Sequence, residues 1–502
     1  MNALTGIDEI YDVLIVGAGI SGIAMAVHLQ RECPNKRFAM LERRPELGGT
    51  WDLFRYPGIR SDSDMYTMSL ESEPWLERNA LGAGRSIKRY LGNVVSGNGL
   101  ADRIRYDSHV ISADWHGERA QWDVVVESAA GNRRTLRSAF LYLASGYYDY
   151  DQPYDAEFPG REDFTGTILH PQFWPEDFDY TGKKVVVIGS GATAVTLVPA
   201  MAEQAGHVTM LQRSPTWIMT VPQRSPVIRA LRAVLPSKLA HRAIRFLIVR
   251  MQRRMFRDAI AKPQETGRKI LDGVKSALGD KFDPVHFTPS YNPWEQRLCV
   301  VPDGDLFKAI TAGKASVVTD RIDRIDATGI ALESGKHLDA DVIVTATGLQ
   351  LAMGGKIAVS VDGKPVNWNE HIFYKACMLS DMPNFAMVIV YSNASATLRS
   401  EIVARYVCRV LNHLDRTGAQ VATPVPPAGV TATDESLLSL QSGYLLRSLH
   451  LMPRNGQARP WRLDHDYLLD RAELPTMPLE DGNLVFSKAP ESAERQELEA
   501  AE

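Results

Sequence analysis

The sequence predicts an α/β fold, because a short apolar strand followed directly by a glycine-rich turn and a helical pattern occurs twice along the chain. The first strand covers residues 11–16 and the second covers residues 183–188. A third observation is a strongly basic stretch at residues 221–270, in which apolar residues recur at helical spacing. Together these observations predict two Rossmann-like dinucleotide-binding domains with a helical insertion.

The first glycine-rich turn has the full context of a dinucleotide-binding fingerprint. Gly17, Gly19 and Gly22 follow the strand in the pattern GxGxxG, and the next strand ends at Glu42. The first glycine permits the tight turn, the second lets the backbone approach a pyrophosphate, and the third lets helix and strand pack closely. Glu42 can accept hydrogen bonds from a ribose hydroxyl, which favours an adenosine without a 2′-phosphate, in FAD or NAD. A turn used only for packing is the alternative, but strand, helix and acid together favour a nucleotide site.

The second turn has the related pattern GxGxxA, with Gly189, Gly191 and Ala194 after the strand. The strand that follows ends at Arg213 and Ser214 rather than at an acid. A cation at this point accommodates a 2′-phosphate and predicts NADP, whereas the alternative is an arginine that is only solvated at a strand end. One acid-ended site and one arginine-ended site together predict FAD plus NADPH, and therefore a flavin-dependent oxidoreductase.

Composition narrows the remaining choices. Of the 502 residues, 45% are hydrophobic and 23% are charged, which is typical of a folded globular protein. The net charge of -4 gives no reason to expect nucleic acid as a partner, and the four cysteines show neither CxxC spacing nor a metal-ligand pattern. Without a dithiol to take electrons from a flavin, O2 is the expected acceptor. The N-terminal residues lack a basic signal region, so a cytoplasmic protein is expected.

The segment between the two turns resembles a known family. It matches the FxGxxxHxxxWP fingerprint of the type I Baeyer-Villiger monooxygenases at every specified position, which are Phe164, Gly166, His170, Trp174 and Pro175. The similarity covers nearly the whole chain and includes Gly49, Thr50, Trp51, residues 55–62, Thr347 and Gly348. Within the family, the chain looks most like the branch that contains the ethionamide-activating monooxygenase, as judged by residues 291–299 and 460–463.

The resemblance implies a specific chemistry. NADPH would reduce the FAD, O2 would add to the reduced flavin, and the resulting peroxide would attack a ketone to give an ester or a lactone, with sulfoxidation as a side activity. Arg297 matches the family's catalytic arginine, which would stabilise the negative charge of the peroxide, and Asp62 matches the carboxylate that orients it. From the residues alone, Arg297 would be an ordinary salt bridge between domains. The alternatives are a flavin monooxygenase that oxygenates nitrogen or sulfur, and a nucleotide-sensing membrane protein without enzyme activity.

The resemblance also assigns cofactor contacts. On the FAD side they would be Gly49, Thr50, Trp51 and Asp62, with Thr347 and Gly348 where the chain returns to the FAD domain. On the NADP side, Gln296 stands where many family members have a lysine, so Arg213 and Ser214 would carry more of the preference for NADPH over NADH.

The family pattern carries further expectations about packing. We expect His170 and Trp174 to support packing and hinge motion rather than proton transfer, and Gly166 to lie in a turn with positive φ. The small Ala396 stands where an aromatic residue is expected, which implies a wider substrate pocket for a ketone or a sulfide.

The motif order predicts interleaved domains. The FAD domain is expected at residues 1–150 and 348–502, the NADP domain at 151–222 and 297–347, and the helical insertion at 223–296. The acidic end of the chain, from residue 491, is expected to be frayed. Whether the protein is a monomer or a homo-oligomer stays open.

The basic stretch is the main departure from an evenly distributed charge. Residues 221–270 contain 13 lysines and arginines against two acids, a balance of +11, so the rest of the chain carries -15. Within it, residues 239–256 form an amphipathic basic helix. We expect its apolar stripe to pack on the NADP domain, and the alternative is peripheral binding to an anionic membrane surface.

Overall fold

The computed structural model describes residues 7–296, 298–435, 437 and 443–490. Its strands are β1 (Ile7–Val16), β2 (Phe38–Leu41), β3 (Arg60–Asp64), β4 (Leu81–Ala83), β5 (Ile104–Arg105), β6 (Ser108–His116), β7 (Gln121–Ser128), β8 (Arg133–Leu143), β9 (Thr167–Leu169), β10 (Lys184–Ile188), β11 (His207–Gln212), β12 (Ile218–Val221), β13 (Cys299–Pro302), β14 (Ala315–Thr319), β15 (Ile322–Asp326), β16 (Gly329–Leu332), β17 (His337–Asp339), β18 (Val342–Thr345), β19 (Ala358–Val361), β20 (Lys364–Pro365), β21 (Phe373–Tyr374), β22 (Met378–Leu379), β23 (Phe385–Met387), β24 (Val421–Pro424) and β25 (Leu484–Ser487).

The α-helices are α1 (Ile20–Glu32), α2 (Thr50–Leu53), α3 (Met65–Met68), α4 (Gly84–Gly97), α5 (Ala192–Met201), α6 (Pro226–Val234), α7 (Ser237–Ala261), α8 (Pro263–Leu278), α9 (Pro284–Phe287), α10 (Asp305–Thr311), α11 (Ala396–Thr417), α12 (Gly443–Leu446) and α13 (Tyr467–Glu473). Among the described residues, no helix combines the length and the apolar character that crossing a bilayer requires.

The larger sheet has the strand order β20-β19-β6-β7-β8-β1-β2-β5, with β23 also paired to β8. Strand β1 runs parallel to both β2 and β8, and β6, β7 and β8 form an antiparallel meander. All four residues of β2 are buried, as expected for a parallel strand with both faces covered. Helix α1 packs against α11, which lies more than 360 residues later in the sequence.

The smaller sheet has the order β14-β11-β10-β18-β9, and all of its pairings are parallel. Strand β10 lies between β11 and β18, and α5 connects β10 to β11 as a crossover helix. Helices α5 and α10 contact each other beside this sheet. The predicted α/β class with two Rossmann-like units is confirmed. We refer to the units as the first unit, with the larger sheet, and the second unit, with the smaller sheet.

The chain crosses between the units twice, as the motif order predicts. Strands β1 to β8 precede the second unit, and β19, β20 and β23 return to the larger sheet after it. The two crossing segments run side by side, since Asp149 donates its backbone N–H to Gln350 at 2.9 Å and Ala352 donates to Tyr147 at 3.0 Å. This strand membership supports the interleaved arrangement, and the domain limits themselves stay a prediction.

The helical insertion leaves and rejoins the second unit at one place. Strands β12 and β13 flank it and pair in parallel, with the N–H of Cys299 donating to the carbonyl of Trp217 at 2.8 Å. Helix α8 faces the second unit, because Val274 and Leu278 belong to the apolar core of that unit.

The expected packing of the amphipathic helix is wrong. Helix α7 places Ala240 and Ile244 in the core of the first unit, against α3, and not on the NADP-side unit. The physical reason is an inward-facing charge that the helical periodicity does not reveal. Arg245 is buried, forms an ion pair with Glu401 of α11 and donates to the carbonyl of Ser69 at 2.6 Å, which holds α7 on the first unit.

The four cysteines are free and buried. Burial raises the pKa of Cys377 to about 12, so this thiol is protonated and unreactive.

Candidate active site

A cavity of about 350 Å³ lies where the two units meet. A volume of this order is typical of a small-molecule site. Both units contribute to its wall, and so do the segments that follow β23. Its lining includes Gly17, Gly19, Glu42, Gly49, Thr50, Trp51 and Asp62 from the first unit, Ala192, Thr193 and Thr196 from α5, Val300 from β13, and Tyr391, Ala394, Ala396 and Thr397.

The first glycine turn lies at the end of β1. At its first and third glycines there is no room for a Cβ atom. Gly17 has φ +106°, and a Cβ on it would lie 2.5 Å from the carbonyl oxygen of Ala144. A Cβ on Gly22 would lie only 1.9 Å from the carbonyl oxygen of Gly17, so the helix approaches the strand as closely as predicted.

The second glycine of this turn is different, because the chain itself leaves room beside it. Gly19 precedes α1, and a Cβ there would meet the Cα of Gly49 at 3.6 Å, which is an ordinary contact. The packing of the chain therefore does not require a glycine at position 19. A glycine at a helix N-terminus on the cavity wall does, however, let a phosphate approach the backbone closely. The residues therefore fit the pyrophosphate of a dinucleotide.

Glu42 is buried and lines the cavity at the end of β2. Its carboxylate accepts from the backbone N–H of Ala18 at 2.8 Å and from that of Arg44 at 3.0 Å. Burial raises the pKa of Glu42, and the two backbone hydrogen bonds oppose that rise. Each carboxylate oxygen keeps a second lone pair, so Glu42 can hold the turn and also accept from a ribose hydroxyl.

The segment at residues 49–51 lines the cavity directly beside the first glycine turn, because a Cβ on Gly49 would lie 3.1 Å from the Cα of Gly19. Gly49 has φ +56° and precedes the short helix α2, which begins at Thr50. The hydroxyl of Thr50 is hydrogen-bonded to Tyr150, whose burial raises its pKa to about 12, so the phenol is neutral. Trp51 lies beside them in the lining. Sequence patterns did not point to Tyr150, because it is more than 90 residues from this turn.

Asp52 is a buried charge that the sequence analysis also missed. It pairs with Arg44 and with Lys88, both at 2.5 Å, and with Arg55 at 3.6 Å. Burial alone would raise the pKa of Asp52, but hydrogen bonds from Lys88 and Arg44 outweigh it and lower the pKa. The cluster fixes α2 below the cavity. Its only signal in the sequence was the density of charges at residues 43–55.

Residues 55–62 connect the first unit to α5 of the second. The hydroxyl of Tyr56 is hydrogen-bonded to Thr193, and burial raises the pKa of Tyr56 to about 12. Arg60 forms an ion pair with Asp305 of α10. Asp62 is exposed to the cavity, and Ser63 donates its hydroxyl to it at 3.4 Å.

The predicted catalytic arginine, Arg297, lies outside the described residues. Its neighbour Gln296 is half-buried and forms an isolated bridge with Pro293, directly before β13. Since Val300 of β13 lines the cavity, the chain reaches the cavity wall within three residues of position 297.

The second glycine turn repeats the geometry of the first at the end of β10. Gly189 has φ +131°, and a Cβ on it would lie 2.3 Å from the carbonyl oxygen of Ala346. Gly191 precedes α5 and would have open space around a Cβ, whereas Ala194 is fully buried. These residues lie outside the cavity lining, and α5 reaches the cavity through Thr193 instead.

Arg213 and Ser214 are both exposed directly after β11. Within the described part of the chain, no carboxylate lies within ion-pair distance of the Arg213 guanidinium. An exposed guanidinium and hydroxyl beside a helix N-terminus fit a phosphate group. Gln212, which precedes them, is buried and donates to the carbonyl of His286 at 2.7 Å and to the hydroxyl of Thr319 at 2.9 Å.

The fingerprint residues Phe164, Gly166, His170, Trp174 and Pro175 do not line the cavity. They lie on and beside the first crossing segment. His170 is half-buried, accepts at Nδ1 from the N–H of Gln172 at 3.2 Å, and has a pKa that burial lowers. Gln172 in turn donates to the carbonyl of Asp149 at 2.7 Å.

Trp174 packs edge-on against Phe178 and Tyr180 in the core of the second unit, and Pro175 is exposed. On the returning segment, Thr347 donates its hydroxyl to the carbonyl of Tyr154 at 3.4 Å, and Gly348 has φ +115°. The placement supports a role in joining the units.

The expectation that Gly166 needs positive φ is wrong. Its φ lies outside that region, and the need for glycine is steric. A Cβ on Gly166 would lie 2.4 Å from the carbonyl oxygen of Asp341 and 2.6 Å from the ring of Phe164. The fingerprint phenylalanine therefore lies over the fingerprint glycine.

A buried ionic cluster stands behind the cavity wall at Tyr391. The Tyr391 hydroxyl donates to Asp470 at 2.6 Å, and the guanidinium of Arg399 covers the tyrosine ring at 3.8 Å from its centre. Arg399 and Arg459 pair with Asp470 at 3.3 and 2.8 Å. This cluster holds the ring in one place. It joins four residues spread over 80 positions, and sequence patterns did not indicate it.

Comparison with known proteins agrees with this geometry. Residues 83–422 match the family model described as flavin-binding monooxygenase-like, and residues 15–78 match that of an NAD(P)-binding Rossmann-like domain. The chain is 48% identical over 478 residues to the probable FAD-binding monooxygenase AlmA of an Acinetobacter species, covering 95% of this chain and 96% of the relative. It is 46% identical over 484 residues to the FAD-containing monooxygenase EthA of Mycobacterium tuberculosis, covering 96% and 99%.

Solved structures with the same fold include oxidized steroid monooxygenase bound to NADP, with a TM-score of 0.76, 23% identity and coverage of 95% of this chain and 100% of that one. Another is cyclohexanone monooxygenase bound to ε-caprolactone, with a TM-score of 0.69, 20% identity and coverage of 83% and 90%. The predicted family resemblance and the predicted flavin are confirmed. Because the family model matches residues 83–422 and the two relatives are 48% and 46% identical over nearly the whole chain, the chain belongs to the flavin-binding monooxygenase-like family.

Proposed function

We propose that the protein is an FAD-containing, NADPH-dependent Baeyer-Villiger monooxygenase, which inserts one oxygen atom of O2 beside a ketone carbonyl to give an ester or a lactone. The observation that carries the proposal is a cavity that is lined by the first glycine turn, by the first residues of α5 and by Asp62. Such a site brings two dinucleotides and an acid that orients a cation within reach of one substrate.

The first turn and Glu42 are assigned to FAD. Gly17, Gly19 and Gly22 bring the N-terminus of α1 to the pyrophosphate, while Glu42 accepts from the adenosine ribose. Gly49, Thr50 and Trp51, which line the cavity beside this turn, contact the same ligand. The FAD-binding relatives support this choice of flavin. When bound, FAD supplies the hydride acceptor for NADPH and the centre at which O2 is activated.

The second turn is assigned to NADP. Gly189, Gly191 and Ala194 present the N-terminus of α5, and the exposed Arg213 and Ser214 hold the 2′-phosphate. A neutral glutamine at position 296 adds no further charge. The structural relative whose description includes bound NADP agrees with this assignment. The crossing segments, with Thr347 and Gly348, let this unit be positioned against the flavin.

Asp62 and Arg297 are assigned to catalysis. Arg297 precedes β13, whose Val300 lines the cavity, and Asp62 projects into the same cavity. A guanidinium held by a carboxylate stays protonated and presents several N–H donors to the negative charge that develops during oxygen transfer. The Tyr391 ring, fixed by Asp470, closes the wall and keeps water from the reacting oxygen.

Ketone oxygenation by the Arg297→Ala variant tests the proposal. NADPH should still reduce the flavin, measured by stopped-flow absorbance. Ester or lactone formation should fall at least about a hundredfold, measured by mass spectrometry of the added oxygen, because the variant lacks the charge that stabilises oxygen transfer. Arg321→Ala, which changes an exposed arginine away from the cavity, is the matched control and should retain activity.

A panel of ketones, sulfides and amines separates this proposal from the alternative, in which the enzyme oxygenates nitrogen or sulfur. Because none of the fingerprint residues lines the cavity, they do not themselves select a ketone over a sulfide. Sulfide oxidation is therefore expected as a side activity. Unchanged ester formation in Arg297→Ala would refute the assigned role, and oxygenation of sulfides or amines with no ketone product would favour the heteroatom monooxygenase.

A further inference from the structure

The outward side of α7 exposes large apolar residues to solvent. Leu239, Phe246, Leu247 and Met251 have exposed fractions of 52%, 51%, 49% and 61%. Val234, the last residue of α6, is 80% exposed directly before α7 begins. Exposed apolar residues that occur singly need no explanation, but a group of this kind on one helical hairpin marks an interaction surface.

The same side of the helix carries positive charge. Arg242, Arg250 and Arg257 are exposed, and no carboxylate of the described residues lies within ion-pair distance of them. Arg250 extends over the ring of Phe246, with its guanidinium 3.5 Å from the ring centre. We call these four apolar residues and three arginines the α7 outer face.

The inward side of α7 shows that unpaired arginines are not a general property of this helix. Arg245 is buried and paired with Glu401, and Arg253 pairs with Asp466 at 2.5 Å. The two arginines that contact the first unit therefore have carboxylate partners, whereas Arg242, Arg250 and Arg257 have none within the described chain. The exposed Arg254 lies 3.7 Å from Asp258 of the same helix and is not counted in the α7 outer face. Three of the 13 lysines and arginines in residues 221–270 are therefore exposed on this one face.

Apolar and cationic side chains together fit one kind of partner best. A helix lying on a membrane inserts its apolar side chains among the lipid headgroups, while arginine stems extend along the apolar layer and keep their charges at the phosphates. Anionic lipids also complement the local charge, because each nearby arginine strengthens attachment.

We propose that the α7 outer face binds the surface of membranes that contain anionic lipids. The protein attaches peripherally, with Leu239, Phe246, Leu247 and Met251 among the headgroups and the arginines at their phosphates. This binding does not depend on the oxygenation chemistry.

Flotation of the full-length, flavin-loaded protein with vesicles tests the proposal. One set of vesicles contains phosphatidylcholine alone, and the other contains an equimolar mixture of phosphatidylcholine and phosphatidylglycerol. The protein should float with the mixed vesicles at low salt, and less of it should float as salt is raised, because salt screens the arginines. Absence of flotation with mixed vesicles at low salt would overturn the proposal.

Two variants separate the charge from the apolar contribution. The double variant Arg242→Gln and Arg250→Gln should lower the partition coefficient roughly 25-fold, about fivefold for each charge removed. The triple variant Phe246→Ser, Leu247→Ser and Met251→Ser should lose flotation even though its charge is unchanged. All five residues are exposed, so both variants should fold and oxidise NADPH.

The matched control is Lys336→Gln with Lys364→Gln, which removes two exposed positive charges far from α7 in the sequence. Its partition should stay within about twofold of the parent protein, because only charges within a Debye length of the lipid contribute strongly. An equal loss in this control would overturn the proposal by showing a nonspecific charge effect. A second outcome would also overturn the proposal. In it, light scattering without vesicles would show that the parent protein is an oligomer and that the α7 variants are monomers. The face would then be an interface between copies of the chain.

Discussion

The two glycine turns begin alike and end differently. In both, the first glycine has positive φ and would place a Cβ within 2.5 Å of a backbone carbonyl oxygen. In both, the backbone N–H of the first glycine donates at 2.8 Å to the carbonyl oxygen of a leucine in the neighbouring parallel strand. This leucine is Leu41 in the first turn and Leu211 in the second. The sharp entry into the helix is therefore the same in the two units.

The differences appear in the next residues. Gly22 allows no Cβ, whereas the corresponding position in the second turn holds the buried Ala194. Glu42 is buried and holds its turn through two backbone hydrogen bonds. Its counterpart Gln212 is neutral and turns away, and Arg213 is exposed beside it. One sequence pattern thus builds an enclosed turn, which ends at a buried carboxylate, and an open turn, which ends at an exposed guanidinium. The proposed assignment of FAD to the first turn and NADP to the second follows this contrast.

The largest expected effect comes from adding one methyl group to the enclosed turn. In Gly22→Ala the new Cβ would overlap the carbonyl of Gly17, so the helix must move away from the strand. We expect a loss of about 3 kcal/mol in stability and purification without flavin. Thermal unfolding and the flavin absorbance of the purified protein measure both. The matched variant Ala194→Gly should cost about 1 kcal/mol and keep the flavin. Equal effects in the two variants would contradict the contrast between the turns.

A change at the open site should affect NADPH and leave the flavin in place. Arg213→Ala removes the guanidinium assigned to the 2′-phosphate, so kcat/KM for NADPH should fall roughly 30-fold, the effect of losing a charge-assisted hydrogen bond. The value for NADH should hardly change, because NADH has no such phosphate. Steady-state kinetics with both nucleotides, and Arg321→Ala as control, provide the test. A similar loss with NADH would show that Arg213 acts on the fold instead.

The smallest expected effect concerns the carboxylate of the enclosed site. In Glu42→Gln, one of the N–H groups of Ala18 and Arg44 would face an amide NH2, which costs about 1 to 3 kcal/mol and should weaken FAD binding roughly tenfold. Fluorescence titration of the flavin-free protein with FAD measures this change.

The pH dependence provides a second measurement on the same variant. Burial raises the folded-state pKa of Glu42 above its ordinary value of 4.5. Its contribution to stability is therefore complete below 4.5 and is lost as the pH rises through the folded-state pKa. The stability advantage of the parent over Glu42→Gln should shrink across that window in thermal unfolding. An advantage that grows with pH would show that the carboxylate is stabilised as the anion.

Local patterns predicted the parts of the molecule that are built locally. Gly17 to Gly22 and Gly189 to Ala194 are single turns, in which strand, turn and helix follow within six residues, so the sequence specifies the geometry directly. The order of these motifs also predicted that the chain leaves the larger sheet and returns to it.

What could not be predicted depends on residues that are distant in sequence. The pairing of Arg245 with Glu401 spans 156 positions, and it decided which unit α7 packs on. The wall at Tyr391 depends on Asp470, 79 positions away. For Gly166, the sequence indicated that a glycine is required but not why. A glycine that is required by a nearby carbonyl oxygen looks the same in a sequence as one that is required by positive φ.

Because the chain crosses from the first unit to the second and back, the two units cannot fold in any order during synthesis. A ribosome releases the whole second unit, from β9 to β18, before it releases β19, β23 and α11. The larger sheet and the helix that covers α1 therefore cannot be completed until after the second unit has emerged. Because domains fold as they emerge, the nascent first unit waits with α1 uncovered while the second unit forms. Premature termination after β18 would release a chain with a finished nucleotide unit attached to an exposed apolar helix, a species prone to aggregation.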